Sequence, residues 1–187
     1  MNGIRAHIKK VANSLLSFDR DKQGALLVSS VDQIGSDNLI TVVPVLDTAA
    51  YAIGDVLFVP TPIPNAVPGN DVQGRLDTVY LVDKSDAAAF ILDLYFFDVD
   101  ESAAFGTINA APNMSDANGL SYMGHVSVAS ADWKDLGGFK VAQETNLRRH
   151  IKPAAGTFTI WVAAITGTVL TFAASDLELR LGFSTNY

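Results

Sequence analysis

Histidine, cysteine and serine are the residues on which catalysis or metal binding is most often built, and in this chain they form no recognisable site. The three histidines, His7, His125 and His150, lie far apart, and none belongs to the His-x-His pair that a cupin-type metal site needs. The absence of cysteine excludes disulfides, thiolate nucleophiles and sulfur-bound zinc. The Gly-x-Ser-x-Gly turn of serine hydrolases is also missing. The sequence therefore predicts no catalytic residue, no metal ion and no cofactor.

The densest group of carboxylates is Asp98, Asp100 and Glu101, at the end of a strongly apolar segment. In an extended chain Asp98 and Asp100 point the same way, so with a backbone carbonyl they would offer the hard oxygen ligands that calcium prefers. The remaining spaced ligands and the glycine of a calcium loop are missing. We interpret the group as a solvated turn, with a calcium site near Asp98 and Asp100 as the alternative.

Aromatic side chains are the other residues that could form a binding site, because exposed rings stack on sugars. The candidate rings are Trp133, Trp161, Tyr51, Tyr95 and Tyr122. Most of them are expected to be buried, as Trp161 lies within an apolar segment. Trp133 lies between two charged residues and is the better exposed candidate.

Charge divides the chain into a basic beginning and an acidic remainder. Residues 1–22 hold five basic and two acidic side chains, a net charge of +3, whereas the whole chain carries −7. The only basic cluster in the acidic part is Arg148, Arg149 and Lys152, which we interpret as a solvated strand face, so no direct binding of nucleic acid is expected. No run of about 18 apolar residues is present, so no membrane span is predicted.

Most of the chain is predicted to be all-β, an antiparallel β-sandwich with jelly-roll-like connections. Seventeen aspartates against three glutamates favour turns over helices. The clearest strand is the last, where Leu177, Leu179, Leu181 and Phe183 alternate with polar or small residues. The predicted strands are 25–31, 39–46, 76–82, 88–98, 122–129, 135–143, 146–152, 158–166 and 177–183, with a hairpin partner at 169–173.

A proline-rich segment interrupts this series of strands. It contains Pro60, Pro62, Pro64 and Pro68 within nine residues. Because proline has no N–H to donate to a sheet, the segment is predicted to cross the surface as a long ordered loop.

Residues 4–18 carry the clear helical pattern of the chain. One apolar stripe is predicted from residues spaced by four, three, four and three positions, namely Ile4, Ile8, Val11, Leu15 and Phe18. We therefore divide the chain into an N-terminal arm of helix and linker, residues 1–24, and a β-sandwich domain, residues 25–187. The stripe packs either on its own domain or on another subunit, and the change of charge after it favours another subunit.

Short segments distributed from residue 38 to residue 183 carry a family resemblance. They read LITVVPVLDTAAYAIGDVLF at 39–58, VDKSD at 82–86, LDLYFFD at 92–98, SDAN at 115–118, DLGG at 135–138 and LELRLG at 177–182. In these segments the sequence resembles small proteins encoded among the structural genes of tailed bacteriophages, the capsid decoration or cement proteins.

The resemblance implies a β-sandwich subunit, not an enzyme, that binds the outer surface of an icosahedral capsid and cements neighbouring major capsid proteins. It implies a homo-oligomer, with a trimer favoured, that is made in the host cytoplasm and located in the virion. For contacts with the capsid we expect the apolar stripe of the arm and, in the proline-rich segment, Pro62, Ile63 and Pro64. The alternative is a receptor- or carbohydrate-binding module of a tail or fibre.

Overall fold

The computed structural model describes residues 38–70, 72–85 and 88–184, which form ten β-strands in two antiparallel sheets. The strands are β1 (Asn38–Val42), β2 (Val56–Ile63), β3 (Gly74–Asp83), β4 (Leu92–Phe97), β5 (Tyr122–Val128), β6 (Lys134–Asp135), β7 (Lys140–Glu144), β8 (Arg149–Ile151), β9 (Ile160–Thr166) and β10 (Leu177–Ser184). The helices are α1 (Ser102–Phe105) and two 3-10 helices, Asn118–Ser121 and Ser130–Asp132. None of the helices in these ranges approaches the length of about 20 apolar residues that a membrane-crossing helix requires.

The order of the strands identifies the connectivity. The first sheet runs β1-β10-β3-β7-β6 and the second runs β2-β9-β4-β5. Both β7 and β8 pair with β3, β7 with its C-terminal half and β8 with its first residues, so they form one interrupted strand. With the two-residue β6 left aside, every connection except β4 to β5 crosses from one sheet to the other. This is the double Greek key of a jelly roll, and the predicted antiparallel sandwich is confirmed.

The core lies between the two sheets because inward-facing positions are apolar. In β10 the four residues predicted to face inward, Leu177, Leu179, Leu181 and Phe183, are all buried, while Arg180 between them is exposed. Strand β10 lies between β1 and β3 rather than at an edge, so both of its neighbours depend on this alternation.

The prediction that β4 is apolar on both faces is confirmed for its inner face and only in part for its outer face, which carries Asp93 and a half-buried Tyr95 beside Phe97. The inner residues of β4 pack in the core between the sheets. On the outer face, Phe97 packs with Val56, Phe105 and Ala163 in a second apolar cluster. Helix α1 supplies Phe105, so the long connection from β4 to β5 covers part of the second sheet from outside.

The first part of the proline-rich segment is not a loop, and the prediction was wrong there. Pro60 and Pro62 lie in β2, which among the described strands pairs with β9 and is an edge strand. Pro64 and Pro68 lie in the turns and bends that follow β2, so the second part of the segment is a loop, as predicted. An edge strand has one row of N–H groups without a sheet partner, so it tolerates proline there. Ile63 is 0% exposed and packs in the core, so its predicted contact with a capsid partner is corrected. Pro62 and Pro64 are exposed.

Local turns change three other predicted strands. The segment 135–143 is a hairpin of β6 and β7, closed by a hydrogen bond from the N–H of Leu136 to the carbonyl of Phe139 at 3.0 Å. The segment 169–173 makes a single bridge, between Leu170 and Tyr51. Strand β1 ends at Val42, two residues before Pro44, and lies at the edge of its sheet among the described strands.

The interruption between β7 and β8 has a backbone cause. Asn146 and Arg148 have φ values of 57° and 50°, in the left-handed region that a β-strand cannot accommodate. The basic residues Arg148, Arg149 and Lys152 are exposed, as expected for a solvated face. The predicted strand 25–31 and the arm, with Ile4, Ile8, Val11, Leu15 and Phe18, lie outside the described residues.

Replacing Leu179 by alanine is expected to lower the free energy of unfolding by about 2–5 kcal/mol, because this 0% exposed side chain would leave a cavity between the sheets. The same change at Leu39, which is 55% exposed on β1, should alter it by no more than about 0.5 kcal/mol. Urea unfolding followed by tryptophan fluorescence measures both. Equal losses for the two variants would contradict the position of the core.

Candidate functional site

The jelly roll brings four connections together at one end of the sandwich. They are the segments 43–55, 84–91, 129–139 and 167–176, of which residues 86 and 87 lie outside the described ranges. We call this surface the four-loop end. The antiparallel registers place it beside the last residues of β1, β3, β5 and β9.

Backbone hydrogen bonds join these loops to one another. The N–H of Tyr51 donates to the carbonyl of Leu170 at 2.9 Å, which links the segments 43–55 and 167–176. The N–H of Gly167 donates to the carbonyl of Ile91 at 2.9 Å, which links 167–176 to 84–91. Backbone groups paired in this way hold the loops in one arrangement.

Trp133 connects the remaining loop. Its Nε1–H donates to the carbonyl of Phe90 at 2.8 Å, and the two ring centroids lie 4.3 Å apart. Trp133 is only 6% exposed, so the prediction that it is the better exposed stacking candidate was wrong. Charged neighbours indicated exposure, but a tryptophan whose N–H is bonded can bury its large apolar ring.

The same turn closes three of the four loops. In each turn an alanine is followed three positions later by an aspartate, the pairs being Ala52 and Asp55, Ala129 and Asp132, and Ala173 and Asp176. The aspartate N–H donates to the alanine carbonyl at 3.1–3.2 Å. The aspartate carboxylate in turn accepts a hydrogen bond from the alanine N–H at 2.6–2.7 Å. These reciprocal bonds fix the turns, so three of the seventeen aspartates serve loop rigidity in this way.

The four-loop end is also apolar. Its exposed large apolar side chains are Val43, Val45, Ile53, Ile91, Leu136, Phe139 and Val169. The loops at the opposite end expose Val99, Leu120 and Phe158. Grouped apolar side chains favour burial against a partner, and loops that are already fixed lose little entropy on binding. The four-loop end therefore has the properties of a surface that binds another protein.

The carboxylates after β4 are held separately from one another. Glu101 accepts hydrogen bonds from Ser121 Oγ at 2.7 Å and from Asn118 Nδ2 at 2.8 Å. Asp100 accepts one from the N–H of Ser102 at 2.9 Å. Among residues 38–70, 72–85 and 88–184, no three His, Asp or Glu side chains are close enough to hold a metal ion. Among the described residues, this geometry therefore gives no support to the alternative of a calcium site near Asp98 and Asp100.

Asp98 differs from these neighbours because one of its oxygens lacks a partner. Its Oδ1 is buried and accepts no hydrogen bond. Burial raises the pKa of Asp98 above its usual value, and the negative charge of Glu101 raises it further. The ionised form of Asp98 is therefore a source of instability in the folded protein.

A groove of about 560 Å³ lies on the outer face of the second sheet. Outward-facing residues of β4, β5 and β9 form its floor, and the segment 105–119 forms its wall. The lining residues are Tyr95, Phe97, Phe105, Pro112, Met114, Gly119, Tyr122, His125 and Ile165. We call it the aromatic groove.

Hydrogen bonds to β2 position the wall of the aromatic groove. The N–H of Val56 donates to the carbonyl of Ala110 at 2.8 Å, and the N–H of Asn109 donates to the carbonyl of Val56 at 2.9 Å. Gly106 makes the preceding bend with a φ of +123°, and a Cβ there would lie 3.1 Å from the carbonyl oxygen of Ala111. A glycine is therefore required at this bend.

Three rings form the accessible part of the floor. The ring centroid of Tyr95 lies 6.2 Å from that of Tyr122 and 5.8 Å from that of His125. The Oη of Tyr122 and the Nδ1 of His125 share a hydrogen bond of 2.6 Å. Burial raises the pKa of both tyrosines above the usual value of about 10, so both are neutral phenols at physiological pH.

One acidic and one basic side chain, Asp93 and Arg149, lie near this floor without lining the groove. Asp93 accepts a hydrogen bond from Ser127 Oγ at 2.5 Å, and its negative charge acts with burial to raise the pKa of the tyrosines. Arg149 reaches over from β8, since a Cβ on Gly124 would lie 3.0 Å from its Nη1. Its positive charge opposes the effect of burial on the pKa of Tyr122.

Two of the five candidate stacking rings, Tyr95 and Tyr122, meet in the aromatic groove. Tyr51 is 1% exposed and belongs to the core. His125, which the sequence did not connect with any site, pairs with Tyr95 in the register of β4 and β5. These strands are consecutive, so a hairpin prediction could have placed the two side chains together. The long connection between them, residues 98–121, leaves the register of β4 and β5 undetermined by the sequence alone.

Replacing Asp55, Asp132 or Asp176 by alanine is expected to lower the free energy of unfolding by about 1 kcal/mol each, because each change removes a charged hydrogen bond that closes a loop. Asp116 is an exposed aspartate on another loop, and its replacement by alanine should stay within about 0.5 kcal/mol. Thermal unfolding measures all four. Three neutral loop variants would refute the role of the turns.

Replacing Asp98 by asparagine is expected to stabilise the protein at pH 7 by on the order of 1 kcal/mol, because it removes an ionised carboxylate with an unpaired buried oxygen. The raised pKa makes wild-type stability fall as pH rises from the unfolded value, about 3.9, through the folded value. The advantage of the variant should therefore disappear at pH values below both. Urea unfolding at several pH values tests this, and a less stable variant at pH 7 would contradict it.

Comparison with known proteins identifies no family, since no family model and no curated protein matches the sequence. Among solved structures, the chain is similar to VP2 of an infectious bursal disease virus subviral particle, with 12% identity over 81% of this chain and 33% of that chain and a TM-score of 0.34. It is also similar to a marine algae virus of the order Picornavirales, with 11% identity, coverage of 87% and 73%, and a TM-score of 0.29. The Tobacco streak virus coat protein is 10% identical over 80% of this chain and 87% of that chain, with a TM-score of 0.26. The chain spans about a third of VP2, and at these scores the fold assignment rests on strand order alone.

Proposed function

We propose that this chain is a structural component of a virus particle that binds neighbouring subunits of the protein shell and holds them together. The observation that carries the proposal is the four-loop end, where exposed apolar side chains stand on loops fixed by hydrogen bonds. Such a surface provides apolar area for a protein partner without loss of loop entropy on binding. A binding function of this kind needs no catalytic group.

A protein that cements must contact two neighbours at once, and the chain has two candidate contacts. The four-loop end is one. The other is expected from the apolar stripe of residues 4–18 together with the exposed Pro62 and Pro64. Asn38, the first residue of β1, donates from Nδ2 to the carbonyl of Asn65 at 3.0 Å, so the beginning of β1 lies beside the end of β2, opposite the four loops. The four-loop end and the exposed Pro62 and Pro64, at opposite ends of the described sandwich, are separated as bridging requires.

The resemblance of residues 38–183 to cement proteins of tailed bacteriophages supports a finer proposal. The chain binds the outer surface of an icosahedral capsid, its partner is the major capsid protein, and it acts as a homo-oligomer, with a trimer favoured. On a symmetric lattice, modest contacts repeated many times resist rupture through multivalency. The internal pressure of packaged nucleic acid then has to break many contacts at once.

Replacing Ile53 by aspartate is expected to lower the occupancy of this protein on virus particles by about tenfold or more. Ile53 is 70% exposed in the four-loop end, and an unpaired carboxylate buried against a partner is strongly unfavourable. Particles produced without the chain are mixed with purified protein and sedimented, and bound protein is quantified. The matched control is Leu120→Asp, at 89% exposure in the opposite loops, which should bind normally. Normal occupancy of the Ile53 variant would contradict the proposal.

Deleting residues 1–22 is expected to abolish binding to particles while the sandwich remains folded. The deletion removes the apolar stripe and the basic part of the chain and leaves every described strand intact. The same sedimentation assay measures binding, and circular dichroism verifies the β-fold. A truncated protein that occupies particles normally would refute the contact assigned to the arm and leave the role of the four-loop end standing.

A further inference from the structure

We propose that the aromatic groove binds a neutral sugar ring, such as the pyranose of a surface polysaccharide. The proposal rests on residues of β4, β5 and β8 and does not depend on binding to a shell. Phe97 and Tyr122 lie at the ends of β4 and β5 that face away from the four loops. A molecule held through the four-loop end would therefore leave the groove open.

The floor of the groove matches the apolar face of a sugar. Tyr122 is 40% exposed, and Tyr95 and His125 lie beside it with centroids 5.8–6.5 Å apart. The rings of Tyr122 and His125 are nearly parallel, at 13°, and their shared hydrogen bond fixes both orientations. A fixed platform of rings can stack on the C–H face of a pyranose without losing side-chain entropy.

Polar groups in the groove and near it match sugar hydroxyls, each of which both donates and accepts a hydrogen bond. The neutral phenols of Tyr95 and Tyr122, in the groove, can do both. Asp93 and Arg149 lie near the groove, outside its lining, and offer an acceptor and a donor. The volume of about 560 Å³ falls within the roughly 300–1,000 Å³ that is usual for small-molecule sites. An apolar floor with a few convergent polar groups is also usual for such sites.

Two other ligand classes fit the groove less well. A quaternary ammonium ion would be attracted to the aromatic faces and to Asp93, but the guanidinium of Arg149 acts on the same ring, Tyr122, with a positive charge. A purely apolar ligand would make no hydrogen bond to the phenols of Tyr95 and Tyr122, which is unfavourable. These phenols, with one acidic and one basic side chain nearby, favour a ligand that carries both donors and acceptors and no net charge.

Saturation-transfer NMR on the full chain tests the proposal with the methyl glycosides of glucose, galactose, mannose and N-acetylglucosamine. We expect at least one of them to bind, and Tyr122→Ala to weaken that binding about fivefold or more through loss of stacking. The matched control is Phe158→Ala, because Phe158 is 42% exposed outside the groove, and this variant should bind the sugar normally. Arg149→Gln leaves the floor intact and should weaken binding about threefold or more.

Absence of saturation transfer from all four glycosides would overturn the proposal. The same holds if tetramethylammonium binds and the sugars do not, or if Phe158→Ala weakens binding as much as Tyr122→Ala. If Tyr122→Ala fails to fold, Arg149→Gln alone decides, and unchanged sugar binding by that variant would also overturn the proposal. These measurements use the isolated chain, so their outcome is independent of the occupancy of virus particles.

Discussion

The register of β10 is the constraint on which the rest of the structure depends. This strand pairs along its length with β1 on one side and with β3 on the other, and its inward leucines fill the space between the sheets. A slip of one residue would turn every inward side chain to solvent, so burial specifies a single register. Once the strands are fixed, the positions of both sets of loops follow. The four-loop end and the aromatic groove are consequences of this one arrangement.

The chain uses its polar residues mainly to fix backbone. Aspartates at three matched positions close the loops of the four-loop end, and Glu101 secures the start of α1 against Ser121 and Asn118. These carboxylates accept hydrogen bonds from N–H and hydroxyl groups and thereby hold the loops in one conformation. The apolar side chains beside them remain exposed, which is the combination expected of a pre-organised binding surface.

The sequence predicted the faces of strands well and the neighbours of strands poorly. Alternation in β10 and the apolar inner face of β4 are local patterns, and both are confirmed, whereas Asp93 makes the outer face of β4 partly polar. Whether a strand lies at an edge depends on distant partners, and for this reason Pro60 and Pro62 suggested a loop where β2 is an edge strand. Trp133 was predicted to be exposed because its sequence neighbours are charged; it is buried because its N–H reaches the carbonyl of Phe90, 43 residues away. The exposed apolar residues of the four-loop end come together only in the complete jelly-roll topology. Local periodicity in the sequence does not predict that topology.

The decisive measurement is a reconstruction, at side-chain resolution, of virus particles that contain this chain. We expect a jelly roll located where neighbouring shell subunits meet, with the four-loop end buried against one of them. We also expect that residues 4–18 contact a second protein subunit. A particle without the chain, or a bound chain whose four loops face solvent while other surfaces make every contact, would contradict the proposed function.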